Sequence, residues 1–64
     1  MKLYFKDTHL TYGEISNLLT TNIGPASKDT WQNRVETTDN GFHGYVEIYS
    51  DSPGLTFVAL AWSK

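Results

Sequence analysis

Residues 31–62 read WQNRVETTDNGFHGYVEIYSDSPGLTFVALAW, and the architecture of the chain turns on how this stretch is divided. The Asn40-Gly41 pair is a strong hairpin signal, because both central positions of a type I′ turn need φ > 0. A two-residue loop there sets Asp39 against Phe42, Thr37 against Gly44, Val35 against Val46 and Asn33 against Ile48. On the opposite face it sets Thr38 against His43, Glu36 against Tyr45, Arg34 against Glu47 and Gln32 against Tyr49. Apolar residues then meet apolar ones, and Arg34 meets a carboxylate. The Phe42–Tyr49 run is the surest strand. Trp31–Thr38 also admits a helix capped by Ser27, with Trp31 and Val35 one turn apart, but the hairpin turn requires a strand there.

Asp51-Ser52-Pro53-Gly54 supplies the next turn, with Pro preset near φ −65° and Gly free for φ > 0. Leu55–Trp62 is apolar almost throughout and reads as a last strand. A strand apolar on both faces belongs inside a sheet. A four-residue loop pairs Ser50 with Leu55, Ile48 with Phe57, Val46 with Ala59 and Gly44 with Ala61. A two-residue loop would keep the same faces.

Upstream, Leu3-Tyr4-Phe5 between two lysines reads as a short first strand, with Leu3 and Phe5 on one face and Tyr4 on the other. A helix of about eleven or twelve residues follows, marked by a Thr11/Glu14 capping box and a Leu10/Ile15 hydrophobic staple. Ile15, Leu18 and Leu19 give it one apolar stripe, and Gly24 then Pro25 end it. The expected fold is therefore α+β: a two-layer sandwich, β-α-β-β-β, with one helix on a four-stranded mixed sheet. Order 2-3-4-1 is preferred over 1-2-3-4, because it puts the apolar last strand inside and lets it pair with the first in parallel. Residues 1–64 fit one small domain, near the lower size limit for a self-standing core.

In this arrangement the helix covers Leu3, Phe5, Val35, Val46, Ile48, Phe57, Ala59 and Ala61. The other face is left with Tyr4, Arg34, Glu36, His43, Tyr45, Glu47, Tyr49, Val58, Leu60 and Trp62. Aromatic and aliphatic bodies inside a charged rim have the composition of a protein interface. These ten residues are the candidate partner-binding site.

Several function classes lack support in the residues. No cysteine is present to form a disulfide or thiolate metal site. A net charge of −2 with five Lys/Arg argues against affinity for phosphate backbones, and it is too small for an imitation of DNA. The stretch Met1-Lys2-Leu3-Tyr4-Phe5-Lys6 meets a charge too early for a signal peptide or membrane anchor. His43 and Glu47 share a face but stand about 13 Å apart along a strand, too far for a base and its orienting carboxylate. Asp7 and His9 lack a third ligand at metal spacing. Neither an enzyme, a cofactor nor a metal is expected.

The expectation is a non-enzymatic protein-binding module, a stoichiometric inhibitor or modulator of another protein. Its alternative is single-stranded nucleic-acid binding through the open aromatic sheet face. A homodimer through the open face would be a second way to cover it. The size, the mild acidity and the lack of cysteine match small phage or mobile-element proteins that block host enzymes. The corresponding location is the cytoplasm, the host's if the protein is phage-encoded.

Overall fold

In a computed structural model describing residues 1–63, the chain runs β1 (Lys2–Tyr4), α1 (Tyr12–Asn22), β2 (Trp31–Thr38), β3 (Gly41–Ile48) and α2 (Leu55–Trp62). A single 3-10 turn, Phe5–Asp7, follows β1. The sheet has three strands in the order β1-β3-β2, all antiparallel. The broad α+β class holds, but the expected four-stranded mixed sheet and its 2-3-4-1 order do not. Residues 55–62 are a helix, and the first strand pairs antiparallel with β3 rather than parallel with a fourth strand.

The physical reason lies in which positions of α2 are buried. Val58 and Trp62 are four apart and buried, whereas Phe57 and Leu60 are 67% and 61% exposed. That is the spacing of one helical stripe; a strand would have put Val58, Leu60 and Trp62 on a common face. Ala59 and Ala61 favour a helix where packing is neutral. Once β1 (Lys2↔Glu47 to Tyr4↔Tyr45) and β2 occupy the two edges of β3, a further strand has no edge of β3 left to join.

Gly54 has φ −65° and needs no left-handed freedom. Its role is space: a Cβ there would collide with the Asn22 carbonyl at the end of α1. The Ser52 hydroxyl donates to that same carbonyl at 3.2 Å, so the two helices meet where the first stops.

α1 follows its sequence signals closely. The Thr11 side chain accepts from the Glu14 N–H at 3.2 Å, and the Glu14 carboxylate accepts from the Thr11 N–H at 2.9 Å. Gly24, at φ +126°, turns the chain away and donates to the Leu19 carbonyl.

The β2–β3 hairpin keeps the expected faces but slips by two residues. Its register runs from Trp31↔Ile48 to Thr38↔Gly41, with Arg34 opposite Tyr45 and Val35 opposite Gly44. Asp39 and Asn40 form the loop, and neither has positive φ, which excludes type I′. Gly41 alone carries the positive φ, at +111°.

Ile15, Leu19, Trp31, Val46, Ile48, Val58 and Trp62 form one core cluster. Members from both helices meet one sheet face, so α1 and α2 lie side by side. Each tryptophan also ties an element down: Trp31 Nε1 donates to the Gly24 carbonyl and Trp62 Nε1 to the Tyr4 carbonyl, both at 2.8 Å. Val35 and Phe57, expected in the core, are exposed instead. The second sheet face is bare, in keeping with a shortest extent of 18 Å, room for two layers and no more.

Candidate functional site

Seven of the ten sequence-selected residues do gather on or beside the open sheet face: Tyr4, Arg34, Glu36, His43, Tyr45, Glu47 and Tyr49. The other three do not join them. Val58 and Trp62 are core residues under the opposite face, and Leu60 sits on the outward side of α2.

The open face is largely closed by its own contacts. The Tyr4 and Tyr45 rings lie 5.3 Å apart at 42°, and Lys2 Nζ sits 5.0 Å from the Tyr45 centroid. Tyr45 is left only 7% exposed. The Tyr4 hydroxyl donates to both Glu36 oxygens at 3.2 Å, and Lys2 approaches Glu36 at 3.9 Å. Loss of water around the Tyr4 hydroxyl, then the hydrogen bond and negative charge of Glu36, push its pKa above the ordinary tyrosine value. Tyr49 donates to Glu47 at 3.2 Å. Arg34 reaches Glu47 through Nε at 3.8 Å, a loose contact, and the Tyr45 hydroxyl first, then that of Tyr49, hold its guanidinium above its ordinary pKa. Ring faces available for stacking are few, and two carboxylates stand beside them.

A different surface emerges on the helix side, beyond the reach of the helices. Val35 is 67% exposed, Phe42 78% and Tyr12 75%. Phe5 stacks on Trp62, meets Tyr12 edge-on at 5.2 Å, and covers Gly44 so closely that a Cβ there would stand 2.8 Å from its ring. Phe5, Tyr12, Val35, Phe42 and Gly44, with the polar Lys6, Asn33, Arg34 and His43, border a hollow of about 420 Å³. The sequence carries a signal for it. An eleven-residue helix is about 16 Å long, whereas eight-residue strands run about 26 Å, so the hairpin must outrun its cover.

Beside this hollow runs the free edge of β2. The Thr30 carbonyl accepts from Tyr49 N–H at 2.8 Å, while the next carbonyl, that of Trp31, faces away and accepts from Ser27. Alternation along an antiparallel strand then turns the N–H and C=O groups of Asn33, Val35 and Thr37 outward. A separate hollow of about 550 Å³, lined mainly by apolar groups, lies between Leu18, Asn22, Phe57, Leu60 and Ala61.

Among the described residues, no three His, Asp or Glu side chains gather at metal-binding distance, and no helix is long and apolar enough to cross a membrane. No protein-family model, curated protein or solved structure matches this chain.

Proposed function

We propose that this chain is a non-enzymatic protein-binding module whose working surface is the free edge of β2 together with the adjoining Val35, Phe42 and Tyr12 patch. One observation carries the reading: an eight-residue edge strand, exposed along most of its length, is flanked by three exposed bulky residues. Sheet proteins ordinarily blunt such edges by shortening, charging or covering them. An incoming extended segment would take main-chain hydrogen bonds from Asn33, Val35 and Thr37, and the hollow over Phe5 would receive one of its side chains.

Binding of this kind is stoichiometric, and its consequence for the partner is modulation or inhibition by occupancy. The absence of cysteine suits work in the cytoplasm, where no disulfide would be kept. The nucleic-acid alternative draws less support. Its stacking surface would be Tyr4 and Tyr45, which are packed on each other, and Glu36 and Glu47 would repel the phosphates.

Capture from a lysate of the source cells with three baits tests the reading. Wild type and Phe57→Ser/Leu60→Ser should retain one partner in common, and Val35→Glu/Phe42→Ser should lose it. In the complex, the amides of Asn33, Val35 and Thr37 should gain protection from hydrogen exchange. Equal capture by the Val35→Glu/Phe42→Ser protein would discard this surface, and loss of the partner in Phe57→Ser/Leu60→Ser would move the site to the hollow beside α2.

A further inference from the structure

The β2 edge is complementary to itself. We infer that it pairs with a second copy of this chain, antiparallel about a two-fold axis through Val35, joining two three-stranded sheets into one of six strands. The inference rests on the reading of β2 as the working edge and names an occupant for it.

Two independent features select the register. The first is hydrogen-bonding parity. Trp31, Asn33, Val35 and Thr37 direct backbone groups outward, the Trp31 carbonyl being taken by Ser27, so the pairs that exchange hydrogen bonds must join odd-numbered residues to odd-numbered residues. Setting Val35 against Val35 of the second copy satisfies this, and it also sets Asn33 against Thr37 in both directions. About six backbone hydrogen bonds result.

The second feature is charge. The same register sets Arg34 opposite Glu36 of the second copy, and Glu36 opposite its Arg34. These are the closely spaced pairs of an antiparallel ladder, where opposite charges attract most effectively. Among the described residues Arg34 meets a carboxylate only at 3.8 Å through Nε, and its other neighbours are the neutral Tyr45 and Tyr49 hydroxyls, which a facing carboxylate would displace. The neighbouring registers of the same parity fail on charge. One opposes Arg34 to itself, and the other opposes Glu36 to itself. Like charges directly opposite destabilise a sheet, so the strand carries selection for one register and against its neighbours.

The axis stands perpendicular to the sheet and therefore keeps both helical layers on the same side. Val35 and its twin, each now 67% exposed, cover one another between the two layers.

Sedimentation equilibrium of the wild type, Arg34→Glu, Glu36→Arg and an equimolar mixture of the two variants tests the pairing. Wild type should be a dimer at high protein concentration. Each single variant sets four like charges face to face and should weaken self-association by on the order of tenfold or more. The mixture should recover it as a heterodimer, because the Arg34→Glu chain then meets only arginines. Val35→Pro, which removes an outward N–H unused within the chain, should be a folded monomer by circular dichroism.

A wild type that stays monomeric at the highest soluble concentration would overturn the pairing. So would a dimer indifferent to both charge variants, or a mixture that fails to re-associate while each variant remains folded. A monomer that still captures a foreign protein through Val35 and Phe42 would remove the self-pairing alone and leave the binding edge standing.

Discussion

At the scale of single residues, glycines with different reasons for being glycine separate sequence inference from structure. Gly24 and Gly41 are needed for their backbone angles, at φ +126° and +111°. Gly54 and Gly44 are needed for room. A Cβ on Gly54 meets backbone at the end of α1, which cannot move without parting the helices, whereas one on Gly44 meets the rim of the Phe5 ring. Gly54→Ala should therefore cost about 1–3 kcal/mol or more, the range for overpacking a tight site, and Gly44→Ala less, because Phe5 can swing. Paired denaturant titrations will check the order. If Gly54→Ala proved as stable as wild type, the close approach of α2 to Asn22 would be wrong.

At the scale of elements, α1 and α2 differ in how openly they declare themselves. α1 has a reciprocal cap, a staple position and a terminal glycine, all visible as residue types at set spacings. Its capping carboxylate gives a pH signature. Glu14 is held below the ordinary glutamate value of 4.5, first by the Thr11 backbone N–H and then by the Thr11 side chain. The folded state thus favours the ionised form. This contribution is complete above the ordinary glutamate range and fades as pH falls through the lowered folded value. Thermal unfolding followed downward from pH 4.5 should show a shallower acid loss in Glu14→Gln than in wild type; identical profiles would mean that the box is open in solution.

α2 has no such cap, and its eight residues are apolar on nearly every side. A short apolar run of this kind fits a buried strand and a buried helix equally well. Substitutions separate the two. Val58 is fully buried and Leu60 is 61% exposed, so Val58→Asp should abolish the folded state while Leu60→Asp leaves the thermal midpoint nearly unchanged. Equal damage from both would restore the strand, in which they share a face.

At the scale of the whole molecule, a chain of 64 residues must hold itself together with one small core and no cross-links. Val46, fully buried, stands in the middle strand between β1 and β2, beneath both helices. An unpaired carboxylate there costs several kcal/mol against a total stability of about 5, so Val46→Asp should unfold the protein. A soluble Val46→Asp chain with a cooperative melting transition would contradict the placement of the core. The same economy explains why surplus apolar side chains end up where they do. Two short helices fill one sheet face but not its far end, leaving Val35, Phe42 and Tyr12 outside.

The sequence by itself determined the local chemistry of this protein. It marked the capping box, the end of α1 at Gly24, the hairpin and the face to which each of its side chains points. Those properties depend on neighbours one to four residues away, or on a period of two that survives a slip of two residues in register. Three features were decided only by the tertiary structure: the pairing partner of β1, the conformation of Leu55–Trp62 and the placement of Val58 and Trp62 in the core. Each depends on competition for the edges of β3 and for the uncovered part of one sheet face. That competition has no local signature, because Leu55–Trp62 could satisfy its backbone and bury its apolar groups as either element. The displaced candidate site has the same cause. The open face was drawn around a fourth strand, and when that strand became a helix Val58 and Trp62 went inward, leaving exposed apolar surface at the hairpin's free end and on Phe57 and Leu60.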